Sequence, residues 1–243
     1  MKQPSEKQLG VLALVGTFGY LSTRDIAKLN WPQYEAHSAH VMAQEAASKL
    51  AKEGYLLARD PRIQPGMKHV PVAKSGVTKA YVLTKKGAEV LNDLFADSFI
   101  ETPAPADGKL LLWFTAGYNL SMKDYITRAP LIDLLHEMMA GDPSLNAVGK
   151  RGAARNVLGL QHVSHFDAVL VDGHGQFVFG VYLAHQNTAQ ASVDVTELIR
   201  GPHPFLLAAE SPKRLALLQK WRAERGPNVD AYVWSRLPAG VEA

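Results

Sequence analysis

The sequence predicts an α+β protein of two domains, and three observations support this prediction. The first hundred of its 243 residues read as helix, tight turn, long helix and basic hairpin. Residues 101–108 are rich in proline and alanine, which is typical of a short, stiff linker. Residues 109–243 then alternate apolar runs with helical segments, as in a sheet that contains parallel strands. We therefore expect domains at residues 1–100 and 109–243.

The first two helices are indicated by residues that cap helix N-termini. Ser22 precedes the second helix, and Asp25 at its N3 position gives an acidic variant of the Ser-x-x-Glu capping box. Pro32 disfavours helical geometry at Trp31, so this helix must end in a turn. Ser5 precedes the first helix, which extends from Glu6 to about Thr17 and is expected to bury Leu9, Leu12, Ala13 and Gly16.

A third, longer helix is predicted from about His37 to Glu53, because nearly all residues of this stretch are helix formers. It should end at Gly54, since glycine adopts the left-handed conformation after a helix at the lowest cost. Helical spacing predicts an inner face of Val41, Ala46 or Ala47, and Leu50. The opposite face is polar and carries His37, Ser38, His40, Gln44, Ser48 and Lys52.

A hairpin with a basic loop is expected to follow the third helix. Residues 55–59 and 80–83 read as its two strands, and Thr84 can cap a last helix from Lys85 to Leu94. Helix, turn, long helix and basic hairpin in this order are typical of a winged helix-turn-helix. The basic side chains of the hairpin are Arg59, Arg62, Lys68, His69, Lys74 and Lys79.

This arrangement predicts recognition of double-stranded DNA. An α-helix fits the major groove, while a basic hairpin can contact the neighbouring phosphates. Residues 1–93 contain 13 Lys and Arg against 8 Asp and Glu, whereas the remaining residues contain 13 against 15. The excess of positive charge therefore lies in the domain that would contact the polyanion. The candidate DNA-binding residues are Arg24, His37, Ser38, His40, Gln44, Arg62, Lys68 and Lys74.

The second domain is predicted to begin with a helix from Asp124 to Met139 that carries a wide apolar stripe. Pro130 should either kink this helix or mark its first turn, and Gly141-Asp142-Pro143 should end it. Further helices are expected at residues 193–200 and from Ser211 to about Arg225. The predicted strands cover residues 157–163, 166–171, 177–183, 204–209 and 231–234, with a hairpin turn at 172–176.

This order of elements is that of a restriction-endonuclease-like core, so we searched for its metal-binding carboxylates. Asp167 takes the place of the first carboxylate, but residues 180–183, where Glu-x-Lys is expected, contain neither carboxylate nor lysine. A hard divalent cation needs several oxygen ligands, so we expect no catalytic residue and no bound metal. His162, His165 and Asp167 could instead form a partial metal site. Residues 149–155 are interpreted as a basic turn that is solvated or contacts DNA.

Other classes of function lack their sequence patterns. The chain has no cysteine, which excludes disulfides, thiolate catalysis and Cys-ligated metal centres. It contains no apolar run of about 18 residues and no signal-peptide pattern, so we expect a cytoplasmic protein with no membrane partner. Neither a nucleophile elbow nor a Gly-x-Gly-x-x-Gly fingerprint is present, and we expect no cofactor.

Two segments of the first domain carry a resemblance to known winged-helix proteins. They are Leu50-Ala51-Lys52-Glu53-Gly54-Tyr55-Leu56, before the hairpin, and Tyr81-Val82-Leu83-Thr84-Lys85-Lys86-Gly87, which closes it. Together with the strands at residues 166–171 and 177–181, the chain resembles the replication-relaxation family of plasmids and integrative elements. That resemblance implies a role in plasmid replication, mobilisation or control of mobile-element genes. Val181 and Tyr182 stand where that family has an acidic residue.

The sequence is therefore interpreted as a non-enzymatic, sequence-specific binder of double-stranded DNA, either a transcriptional regulator or an accessory factor of mobile-element replication or mobilisation. We expect a homodimer, because two-fold DNA sites match dimeric readers, and contacts with other replication or mobilisation proteins. The second domain is expected to be an inactive nuclease-like module that serves dimerisation or partner binding. Two alternatives remain open. One is a metal-dependent nuclease that uses Glu197 or Glu210, and the other is an interaction module that binds no DNA.

Overall fold

The computed structural model describes residues 4–59, 80–95, 122–149, 166–183, 205–208 and 233–236, together with positions 198, 213, 216, 217 and 220. Within these residues the fold is mixed α+β, with five helices and two sheets. The helices are α1 (Glu6–Phe18), α2 (Thr23–Asn30), α3 (Ala36–Lys52), α4 (Lys85–Phe95) and α5 (Met122–Gly141). The strands are β1 (Leu21–Ser22), β2 (Leu56–Arg59), β3 (Ala80–Leu83), β4 (Asn146–Gly149), β5 (Ala168–Val171), β6 (Phe177–Leu183), β7 (Phe205–Ala208) and β8 (Val233–Arg236).

The first two helices begin at the predicted capping residues. At α2 the hydroxyl oxygen of Ser22 accepts the backbone N–H of Asp25 at 3.2 Å, and the Asp25 carboxylate accepts the N–H of Ser22 at 2.9 Å. At α1 the side-chain oxygen of Gln8 accepts the N–H of Ser5 at 2.9 Å. These bonds satisfy donors near the helix start that have no partner within the helix itself. The predicted capping box at Ser22 is confirmed, and α2 ends at Asn30, before the predicted turn.

The inner faces of α1 and α3 differ from the predicted ones. Leu9 and Ala13 are only half-buried, and Val41, predicted to point inward, is 40% exposed. The error arose because Val41 was placed by its apolar character, whereas small residues at a spacing of four form the packed face. Small side chains let two helices approach closely. The residues buried in α3 are Ala39, Ala43, Ala47 and Leu50, and those in α1 include Val11, Leu12, Val15 and Phe18.

The end of α3 has the geometry that its glycine predicts. Gly54 has φ of +79°, in the left-handed region that glycine adopts most readily. The N–H of Tyr55 donates to the carbonyl oxygen of Leu50 at 2.9 Å, and the N–H of Gly54 donates to that of Ala51 at 3.1 Å. This pair of bonds is a Schellman motif, which turns the chain sharply from α3 into β2.

The first sheet is antiparallel, with the strand order β1-β3-β2. The predicted hairpin is confirmed at its base, where Arg59 of β2 pairs with Ala80 of β3. The two-residue strand β1, which the sequence did not predict, adds an edge through the pairing of Leu21 with Tyr81. The hairpin loop, residues 60–79, lies outside the described residues.

The predicted cap of α4 is also confirmed. The hydroxyl oxygen of Thr84 accepts the N–H of Gly87 at 3.1 Å and donates its own hydrogen to the carbonyl oxygen of Gly54 at 2.7 Å. Gly87 lies directly against the backbone of Tyr55, where a Cβ atom would overlap the Tyr55 carbonyl oxygen. The glycine of the Leu-Thr-x-x-Gly segment is therefore required by the close approach of α4 to the end of α3.

The second sheet has the order β4-β5-β6-β7-β8, with antiparallel pairing from β4 to β6 and parallel pairing from β6 to β8. The expected parallel strands are thus confirmed. The sequence did not predict β4, whose last residue, Gly149, had been assigned to the basic turn. The predicted strand at 157–163 lies outside the described residues. The two helices predicted at residues 193–200 and 211–225 are described only at positions 198, 213, 216, 217 and 220, and each of these positions is helical.

The turn between β5 and β6 is organised by Asp172, and it gives a prediction for acidic pH. The pKa of this carboxyl lies below its ordinary value of 3.8, because the backbone N–H of Gln176, at 2.9 Å, and then that of His174, at 2.8 Å, donate to the charged form. A lowered folded pKa means that the carboxylate stabilises the hairpin above pH 3.8, and that this stability is lost as the pH falls through the folded pKa. We expect the Asp172 carboxyl to titrate below 3.8 by NMR. A midpoint at or above 3.8 would contradict this assignment.

The two halves of the described structure share the largest hydrophobic cluster, which extends from α1 through α5 to β7. Strand β4 packs on the end of α1, where a Cβ atom at Gly149 would lie 2.7 Å from the carbonyl oxygen of Thr17. Helix α5 begins at Met122, so Pro130 lies inside it and does not mark its first turn, and the helix ends at Gly141, where the end was predicted. Among the described helices, none is long and apolar enough to cross a membrane. The two-domain division itself stays a prediction.

Candidate nucleic-acid interface

The polar face of α3 is exposed over several turns. His37, His40, Val41 and Gln44 follow the spacing i, i+3, i+4 and i+7, so their side chains share one face of the helix. All four are exposed. Ser38 is also exposed, and its hydroxyl donates to the Glu35 carboxylate at 3.4 Å. We call His37, Ser38, His40, Val41 and Gln44 the α3 face.

The opposite side of α3 is fixed by packing. Ala39, Ala43, Ala47 and Leu50 are each at most 4% exposed, and α3 packs closely against α2. The chain enters α3 through a tight turn, in which the N–H of Tyr34 donates to the carbonyl oxygen of Trp31 at 3.1 Å. A helix held in this way presents its polar side chains on a rigid support.

A groove of about 470 Å³ lies beside the first turns of α3. It brings together three of the predicted site residues, Arg24, His37 and His40. Ser38 and Gln44 do not line it. The other residues around the groove are Ala27, Lys28, Trp31, Tyr34, Ala36, Ala39 and His136. Lys28 and His136 were not predicted as site residues.

Helix α5 closes one side of this groove through contacts with α2 and the turn. Asp133 forms an ion pair with Lys28, and Nδ1 of His136 lies 3.0 Å from the Lys28 carbonyl oxygen. Further along, the side-chain amide of Gln33 donates to the carbonyl oxygen of Met139 at 2.7 Å. The three contacting positions of α5 follow one another at a spacing of three residues, so they lie along one side of the helix. This side of α5 is held against α2 and the turn that leads into α3.

Val41 and His136 were missed for different reasons. Val41 is predicted to point inward because it is apolar, but in the structure it lies on the exposed face with His37 and Gln44. His136 is about a hundred residues from α2 along the chain, and no local signal connects the two. The remaining predicted site residues, Arg62, Lys68 and Lys74, lie outside the described residues.

Asp167, the predicted remnant of a metal-binding carboxylate, has a structural partner. Its Oδ2 atom accepts the backbone N–H of Leu183 at 2.7 Å, and its own N–H donates to the carbonyl oxygen of Val181 at 2.8 Å. The carboxylate therefore links the start of β5 to the end of β6. In the described part of the chain, no three His, Asp or Glu side chains are placed to hold a metal ion. His162, His165, Glu197, Glu210 and the basic turn at 150–155 lie outside that part.

No family model, curated protein or solved structure matches the chain significantly.

Proposed function

We propose that this protein binds double-stranded DNA in a sequence-specific manner, as a winged helix-turn-helix protein that inserts α3 into the major groove. The observation that carries the proposal is the division of α3 into two faces. One face is buried and consists mainly of alanine, and the other, the α3 face, is exposed and mainly polar. The exposed face belongs to the helix that follows α2 and a tight turn, which is the position of the recognition helix in a helix-turn-helix.

The residue types of the α3 face suit base readout. The major groove is about 12 Å wide and admits a helix, and each base pair presents there a distinct pattern of donors and acceptors. Glutamine can pair with adenine through two hydrogen bonds, while serine and histidine both donate and accept. Val41 adds an apolar group of the kind that contacts the thymine methyl. The α3 face thus offers both polar and apolar readout.

Phosphate contacts are assigned to basic residues around α3. Arg24 is exposed on the first turn of α2, beside His37 and His40. Arg62, Lys68 and Lys74 belong to the hairpin loop, which leaves the sheet next to the pair Arg59 and Ala80. Contacts of this kind fix the position of a protein on the duplex and supply affinity that falls steeply with salt.

The second half is proposed to be an inactive nuclease-like module for dimerisation or partner binding. The hydrogen bond from the Leu183 N–H to Oδ2 of Asp167 supports this, because it gives the carboxylate a structural role between β5 and β6, and residues 180–183 offer no second carboxylate. With the resemblance to the replication-relaxation family, we propose a cytoplasmic regulator or accessory factor of mobile-element replication or mobilisation. We propose that it acts as a homodimer with no cofactor.

The test is binding of the full chain to the duplex upstream of its own gene, with a scrambled duplex as control. Both are titrated by fluorescence anisotropy at two salt concentrations with Mg²⁺ present. We expect tighter binding to the upstream duplex, an affinity that falls with salt, and intact strands. Equal binding to both duplexes would contradict sequence readout, and no binding would favour the interaction module. Strand cleavage that Asp167→Asn abolishes would favour the nuclease.

A further inference from the structure

The groove beside α3 joins residues from both halves of the chain. Arg24 and Lys28 come from α2, His37 and His40 from α3, and His136 from α5. We propose that His136 binds a phosphate of the DNA backbone in this groove, so that the second half of the chain contributes to DNA binding and makes it dependent on pH. This inference rests on the proposed function and extends it to a residue outside the predicted winged helix.

The hydrogen bond to α2 determines which nitrogen of His136 is available. Nδ1 lies 3.0 Å from the carbonyl oxygen of Lys28, and a carbonyl oxygen can only accept. Nδ1 must therefore carry the hydrogen, and Nε2 is the nitrogen left to bind a ligand. In the neutral ring Nε2 is an acceptor and offers nothing to a phosphate oxygen. In the protonated ring it donates a charge-assisted hydrogen bond.

The charges around the groove favour an anion there. The amine of Lys28 is already paired with Asp133, whose side chain remains 43% exposed. Arg24 stands exposed at the groove and carries a permanent positive charge. The titratable and charged side chains that line the groove with His136 are Arg24, Lys28, Tyr34, His37 and His40, and Asp133 and Glu137 lie within three residues of it on α5. A phosphate between Arg24 and His136 would be bound from two sides.

The expected pH dependence follows from linkage. A phosphate close to an imidazole favours the protonated ring, because opposite charges stabilise each other. DNA binding should then be accompanied by proton uptake at His136, and affinity should rise as the pH falls. His37 and His40 line the same groove and are unchanged in a variant of His136. The variant must therefore be compared at two pH values.

The experiment compares the full chain with His136→Gln, because a glutamine amide can still donate to the Lys28 carbonyl oxygen but cannot become charged. His174→Gln is the matched control, since His174 is exposed in the β5–β6 turn. Binding to a mixed-sequence duplex is measured by anisotropy as a function of salt at about pH 6 and about pH 8. At about pH 6 we expect His136→Gln to bind about fivefold more weakly, with a salt slope smaller by about one. At about pH 8 all three proteins should bind alike.

Equal affinity and salt slope for His136→Gln and the parent at about pH 6 would overturn the inference. A second measurement covers the case in which the variant does not fold. In ¹⁵N-histidine-labelled parent protein, added duplex should move the His136 resonances toward the protonated ring, and unchanged resonances would overturn the inference equally. The experiment distinguishes failure of the His136 inference from failure of the proposed function. If the parent binds DNA and only α3 variants lose it, then the role of His136 alone is wrong; if the parent binds no duplex, both are wrong.

Discussion

Alanine at both His40 and Gln44 is expected to reduce the preference for the target duplex over a scrambled one by about a hundredfold. Each good contact to a base edge contributes about 1–3 kcal/mol of discrimination, and about 1.4 kcal/mol corresponds to a factor of ten. Both side chains are exposed on the α3 face, so their removal should leave the fold intact. The measurement is the ratio of the two Kd values by anisotropy at one salt concentration.

The chain offers a matched control for this pair. His174 and Gln176 are the same two residue types, both exposed, in the β5–β6 turn of the second sheet. Their hydrogen bonds to Asp172 come from the backbone and survive substitution by alanine. The His174→Ala, Gln176→Ala protein should keep the full preference. If the two double variants discriminate equally, α3 is not the reading helix.

Gly87→Ala is expected to lower the free energy of unfolding by about 2 kcal/mol. A Cβ atom there would overlap the carbonyl oxygen of Tyr55 and lie 3.2 Å from a methyl group of Leu83. That oxygen cannot easily move, because it accepts the N–H of Thr84 at 3.1 Å, and the Thr84 hydroxyl oxygen lies 3.0 Å from it. Alanine has a higher helix propensity than glycine, which stabilises the fold by at most about 1 kcal/mol. The steric overlap is larger, so the variant should be less stable than the parent.

Gly10 of α1 provides the control for Gly87. A Cβ atom at Gly10 would meet only the side-chain oxygen of Asn30, at 2.9 Å, and this amide group can rotate away. Gly10→Ala should therefore be neutral or stabilise by up to about 1 kcal/mol through helix propensity. Urea unfolding of both variants, followed by circular dichroism, compares them directly. Equal stability of the two variants would contradict the steric explanation for Gly87.

Local structure in residues 4–59 and 80–95 could be predicted because its signals lie within a few residues of the effect. Ser22 and Asp25 form their capping box within one helical turn, Gly54 ends α3, and Thr84 begins α4. The β5–β6 turn follows from the Asp172 side chain in the same way. Capping and tight turns depend on side chain to backbone bonds across two to four positions, so a linear pattern contains the necessary information.

The sequence by itself thus determined where most described helices and strands begin and end, and that α3 has a polar face. The tertiary structure decided that Val41 lies on that face, that the Asp167 carboxylate joins β5 to β6, and that His136 of α5 reaches the groove beside α3. The difference has one physical reason. Burial and partner choice depend on contacts between segments that are far apart in sequence, and those contacts are fixed only when the whole core packs.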